Sequence, residues 1–135
     1  QNITFESEMP SGWAENQIVI FEIPNSELNG MEIRYDQNGD EIERAPSKNN
    51  ATDRIVIGGL SNSENVWDIT LLASNLSNVN IEYENTAIGV FVTSIDNHEN
   101  SGQNGWVYTI DETYGTQSVD LASIGTNSTI IWQYK

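Results

Sequence analysis

The feature that most limits how this chain can fold is apolar alternation with a period of two. Met31, Ile33 and Tyr35 share one side of an extended segment while Glu32 and Arg34 take the other. Val79, Ile81 and Tyr83 oppose Asn80 and Glu82 in the same way. Successive side chains of a strand point to opposite faces, so this pattern predicts half-buried strands. Ile18 to Ile23, Arg54 to Ile57, Ile88 to Ile95, Trp106 to Ile110 and Thr129 to Tyr134 are β-branched and aromatic runs bounded by Gly, Asn or Ser. They raise the expected number of strands to about seven. Asp36-Gln-Asn-Gly39 and Asn100-Ser-Gly-Gln-Asn-Gly105 are the clearest turns.

One segment departs from that period. Val66, Ile69, Leu72, Ala73 and Leu76 recur at helical spacing after Ser61 and Glu64, which read as a capping box. The spacing predicts a helix near 62–75, with Asn75 and Asn78 around its exit. One helix laid on a largely β chain makes an α+β fold, mostly β, with the helix covering one face of a mixed sheet. Residues 1–16 stand apart as an N-terminal extension in which Ile3 and Phe5 alternate with polar neighbours before Met9-Pro10-Ser-Gly12 interrupts. This segment reads as an edge strand or as a strand donated to a neighbouring subunit, where backbone hydrogen bonds give affinity and alternate side chains fill pockets. Residues 17–135 read as a single domain, since 135 residues suffice for one core and not for two.

Charge narrows the partners. Twenty Asp and Glu against five Lys and Arg give a formal net charge of −15. Such a surface repels phosphate backbones and anionic lipid, so nucleic acid is not expected as a partner. No run approaches the roughly 18 apolar residues that span a bilayer, so membrane insertion is not expected either. Arg34, Arg44, Lys48 and Arg54 fall in one 21-residue stretch, and the only other basic residue is Lys135. That clustering suggests a basic patch complementary to the acidic remainder of another molecule, the bland alternative being a solvated acidic surface. The chain has no Cys, which excludes disulfides, thiol nucleophiles and thiolate metal sites. It begins at Gln1 without an initiator Met, as expected for a secreted or cell-surface protein whose leader has been removed, or for a trimmed terminus.

Order and sequence of the later elements carry a resemblance. The helix with Val66-Trp-Asp68, the strand ending Thr93-Ser-Ile95, the strand Gly105-Trp-Val-Tyr108 and the terminal Trp132-Gln-Tyr134 follow one another as in the transcobalamin C-terminal-like family. The chain resembles that β-grasp group over about residues 54–135. The resemblance implies a β-grasp-like fold and a noncatalytic binding domain, secreted or displayed on a cell. In the cobalamin carriers such a domain closes over the corrin together with a helical barrel. Only one helix is readable here, so free-standing cobalamin binding is not expected. Pro24 to Asp53 is an insertion relative to a minimal family domain and holds three of the five basic residues, Arg34, Arg44 and Lys48.

Individual residues point away from catalysis. His98, the only histidine, sits in the hydrophilic stretch Asp96-Asn-His-Glu-Asn-Ser-Gly, and no Gly-x-Ser-x-Gly elbow accompanies it. Glu82 and Glu84 fall two apart on a strand and so imitate a glycosidase pair, yet nothing nearby would raise the pKa of an acid. No enzyme is expected. Asp36, Asn38, Asp40 and Glu43 offer oxygen ligands around Gly39, which makes calcium the candidate metal, with Asp96 and Glu99 a weaker second place. No cofactor is required by this reading.

Asn2, Asn50, Asn75 and Asn127 head Asn-x-Ser/Thr sequons and are candidate glycosylation sites, although a chain this rich in Asn, Ser and Thr holds about as many by chance. Trp67, Trp106 and Trp132 read as packing residues, and Trp13 beside Gly12 as an exposed anchor. The candidate interaction residues are therefore Ile3, Phe5, Trp13, Arg34, Arg44, Lys48 and Arg54. The expected function is an extracellular or cell-surface binding module whose partner is protein. The alternative is a self-assembling subunit of an extracellular filament or sheath joined by its N-terminal strand.

Overall fold

A computed structural model describes residues 10, 12–24, 30–46 and 52–135. Among the described residues ten strands and one α-helix follow a 3-10 turn at Trp13–Glu15. They are β1 (Gln17–Pro24), β2 (Met31–Tyr35), β3 (Glu41–Pro46), β4 (Thr52–Leu60), α1 (Val66–Ser77), β5 (Ile81–Thr86), β6 (Gly89–Ile95), β7 (His98–Glu99), β8 (Trp106–Ile110), β9 (Thr113–Tyr114) and β10 (Thr129–Tyr134). Seven form one mixed sheet in the order β3-β2-β4-β1-β10-β8-β9, and β5-β6-β7 form a second, small sheet. The expected α+β, mostly β architecture holds. No described helix is long and apolar enough to cross a membrane.

The centre of the large sheet has β-grasp connectivity. β1 pairs antiparallel with β4, α1 crosses over, and β10 returns parallel to β1. The run Ile18 to Ile23 is continuously apolar because β1 is central and covered on both faces. Val19, Phe21 and Ile23 join the main core, whereas Ile18 and Ile20 join a second cluster with Trp13 and Val56. Val66, Ile69 and Ala73 of α1 are fully buried in the main core. At about 1.5–3 kcal/mol per large aliphatic side chain, this stripe rather than intrinsic propensity holds the helix.

The helix starts four residues later than the spacing predicts, and its cap is a different residue. Asn65 is the N-cap, its side chain accepting the Asp68 N–H at 2.8 Å. The Ser61/Glu64 capping box does not form because its residues are held outside the helix. Gln17, buried and fully paired, bonds both the N–H and the C=O of Ser63, and the Glu64 carbonyl accepts from Ile124. The N–H groups of Val66 and Trp67, orphans of the first turn, donate to Ala122 and Val119. Asn78, at φ 60, closes the other end.

The described part of the insertion between β1 and β4 forms a hairpin rather than a polar excursion. β2 adds parallel to the outer edge of β4, and β3 pairs antiparallel with β2 around the predicted 36–39 turn. Asp53, buried, accepts the N–H groups of Gly30 and Met31 and so fixes where β2 begins.

Candidate functional site

Of the predicted interaction residues, Ile3, Phe5 and Lys48 lie outside the described residues, as do Asn2 and Asn50. The structure corrects three of the others. Trp13, expected as an exposed anchor, is 5% exposed. Its indole packs on Gly58 and closes the second cluster, because the sheet face opposite the helix also needs a cover. Arg34 and Arg54 do not form an outward basic patch. Arg34 is 3% exposed and pairs with Glu32 at 2.8 Å and Glu43 at 3.1 Å. Arg54 pairs with Glu32 at 2.9 Å and with Glu22, whose other oxygen accepts from Gln133. The period-two pattern placed Glu32 and Arg34 toward solvent. In fact the sheet face opposite the helix carries a ladder of these groups across β3, β2, β4, β1 and β10, and both are buried in it. Buried charges persist only when paired and hydrogen-bonded, which this ladder provides. Arg44 is exposed and binds Glu41 through two nitrogens, holding that carboxyl below its ordinary pKa.

The predicted calcium ligands are not gathered. Asp36 Oδ1 accepts the N–H groups of Asn38 and Asp40 and so closes the turn, while Glu43 faces Arg34. Among the described residues no group of three or more His, Cys, Asp or Glu side chains is arranged to hold a metal ion. Glu82 and Glu84 are exposed on β5. Asn75 is exposed on α1, but Ser77 of its sequon is buried, its hydroxyl donating to Ala73; Asn127 is exposed ahead of β10. His98 takes part through its backbone, its carbonyl accepting the Trp106 indole N–H at 2.7 Å.

A concave site does exist, and the sequence reading did not find it. It lies between β6 of the small sheet and β8 of the large one, an open cleft of about 170 Å³. Val90 and Val92 form one wall, Trp106 and Tyr108 the other, and Trp132 with Val119 the floor. Gly115 to Ser118 close one end. Gly115 is required there, since a Cβ would collide with the Tyr108 ring. Burial raises the Tyr108 pKa, and its hydroxyl donates to the Gln117 carbonyl at 2.6 Å, bracing that end. Phe91 is 54% exposed at the rim, and Ile88 and Leu121, 82% and 60% exposed, belong to the adjoining segments.

Two side chains link the cleft's walls to their surroundings. Asn100 donates to the Val92 carbonyl at 3.2 Å and accepts the Trp106 N–H at 3.0 Å, joining the two strands directly. Asp120 accepts the Val90 N–H at 3.0 Å and the Ser118 hydroxyl at 2.9 Å, and these bonds hold its carboxyl below the ordinary aspartate pKa. Both residues sit in loops where nothing in the local pattern separates them from any other Asn or Asp.

Residues 57–135 match the family model described as a domain of unknown function (DUF4430). The chain belongs to that family. Its match spans more than half of the sequence and begins within three residues of the stretch 54–135 that carries the resemblance noted above. No curated protein matches the chain. The DUF4430 span contains both walls of the cleft, its floor and both linking side chains, Asn100 and Asp120. Trp13 and the β2–β3 hairpin lie outside that span.

Proposed function

We propose that this DUF4430 domain is a noncatalytic, extracellular binding module and that the β6–β8 cleft is its ligand site. The observation that carries the reading is a preformed concavity with apolar walls and floor, a few polar groups at one end and an exposed aromatic at the rim. Ligand sites commonly have that make-up. The strands that resemble transcobalamin C-terminal domains, through Thr93-Ser-Ile95, Gly105-Trp-Val-Tyr108 and Trp132-Gln-Tyr134, are the ones that bound it. That supports a site inherited with a transcobalamin-like scaffold.

The size of the cleft speaks against a corrin held by this domain alone. Sites that enclose drug-sized molecules run from about 300 Å³ upward. A cavity of about 170 Å³ takes one large side chain or ring and leaves the rest of any ligand on the rim. The test is a screen of small aromatic fragments followed by amide chemical shifts. Hits are expected to move Val90, Val92, Trp106 and Tyr108 and to weaken in Phe91→Ala. Hits that map elsewhere, or none at all, would remove the reading.

A further inference from the structure

Among the described residues, the first and last strands of the large sheet lie side by side and run the same way. β1 pairs parallel with β10 in the register Ile18↔Thr129 to Phe21↔Trp132. The order β3-β2-β4-β1-β10-β8-β9 therefore divides at this pair, with β1 to β4 on one side and β8 to β10 on the other. The start of β1 and the end of β10 stand at opposite ends of that seam. Tension that enters at the start of β1 and leaves at the end of β10 runs along the strands and across their hydrogen bonds, so the rungs are strained together. Tension applied to both strands at the same end opens them one rung at a time.

Further bonds extend the seam at both ends. At its start the Ile18 N–H donates to the Ser128 carbonyl at 3.0 Å. The buried Gln17 side-chain amide donates to the carbonyls of Gly125, ahead of β10, at 2.8 Å and of Ser63 at 2.9 Å. At the far end Gln133 Nε2 donates to Glu22 Oε1 at 2.9 Å, and Glu22 is itself paired with Arg54 of β4. On the helix side the Trp132 indole donates to Thr70 Oγ1 at 3.0 Å, tying β10 to the helix that follows β4. Water is kept from the rungs. Val19, Phe21 and Ile130 are wholly buried and Trp132 nearly so, while Trp13 packs with Ile18 and Ile20 on the opposite face. A rung broken in such a setting finds no replacement partner in solvent, so its loss is felt in full.

We infer that the domain is a mechanically resistant link. Pulled between the segment ahead of β1 and the segment after β10, it holds through shear of the β1/β10 seam, with Gln17 and Gln133 as side-chain straps across it. The function this adds is to carry tension along the chain, and it does not depend on the cleft being a ligand site. Resistance of this kind is set by the barrier to unfolding along the pulled direction rather than by equilibrium stability. One protein with one equilibrium stability should therefore yield at different forces when pulled in shear and when peeled.

The chain has no Cys, so thiol handles can be placed at chosen positions. Single-molecule force spectroscopy pulls the full chain in two forms, Glu15→Cys with a Cys appended after Lys135, and Glu15→Cys with Asn127→Cys. Glu15 and Asn127 are exposed and each lies two residues ahead of its strand, so the second form opens the seam from one end. Full unfolding is recognised by a lengthening of about 3.5 Å per residue between the handles. At equal pulling speed the first form should rupture at a force several times that of the second. Gln133→Ala should lower the first force and leave the second unchanged, because a seam opened from its start reaches that strap last. Equal forces in the two forms, or a first form that yields in small steps at low force, overturns the inference. Equal lowering of both forces by Gln133→Ala overturns its part as a strap.

Discussion

The indole of Trp13 lies against the Cα of Gly58, so close that a Cβ on residue 58 would occupy the ring's own space. Trp13 is the lid over Ile18, Ile20 and Val56 on the face of the sheet that the helix does not cover. Gly58→Ala must therefore displace the ring. A loss of about 2–4 kcal/mol is expected in urea melts, with a red shift of tryptophan emission as the indole meets water. Trp13→Ala should cost about the same, and the double variant much less than the sum, because both remove one contact.

Glu32 sits between two guanidiniums, those of Arg34 and Arg54, and all three are wholly or largely buried. Removing one member of a buried ionic set leaves uncompensated charge, so Glu32→Ala should lower stability by about 3–4 kcal/mol. Arg44→Ala is the control. Its exposed pair with Glu41 should contribute less than about 0.5 kcal/mol, and added salt should erase the difference.

Asn100 can be dissected by its two ends. Asn100→Ala frees both the Val92 carbonyl and the Trp106 amide and should cost about 1–3 kcal/mol. Asn100→Asp keeps an acceptor for Trp106 and loses the donor to Val92, so an intermediate loss is expected. Hydrogen exchange at Trp106 checks the assignment: the amide should lose protection in Asn100→Ala and retain it in Asn100→Asp.

Asp120 predicts a pH dependence. The Val90 N–H, and after it the Ser118 hydroxyl, favour the ionised carboxylate, so its folded-state pKa lies below the ordinary value of 3.8. As pH falls through this range the unfolded chain takes up the proton first. The stabilisation is thus fully present above the unfolded-state pKa and is lost as pH falls through the lower, folded one. Asp120→Asn should be less stable than the parent at neutral pH, and the gap should close below about pH 3.8. A gap that persists unchanged in acid would mean that the carboxylate charge is not what matters.

Much of the fold was legible from local pattern, because strands and amphipathic helices write their period into adjacent residues. The runs that became β1, β4, β6, β8 and β10 were visible as such, and so was the apolar stripe of α1 through Val66, Ile69 and Ala73. The turns at 36–39 and 100–105 announced themselves through Gly, Asn and Asp. Where the reading failed, a distant residue had overridden a local signal. Gln17 holds Ser63 outside the helix, 46 residues away in sequence, and so moves the cap to Asn65. Arg54 draws Glu32 into a buried ladder that alternation alone placed in solvent.

The sequence by itself determined the element types and the exclusion of thiol chemistry, since these depend on composition and on neighbours along the chain, while the β-grasp order was what the family resemblance implied. Only the tertiary structure decided that Trp13 is covered, that Arg34 and Arg54 face Glu32 and Glu22, and that β6 and β8 leave a cleft between them. The physical reason is the same in each case. Burial, ion pairing and the filling of strand edges are settled by groups far apart in sequence, and no period or spacing along the chain records which of them will meet.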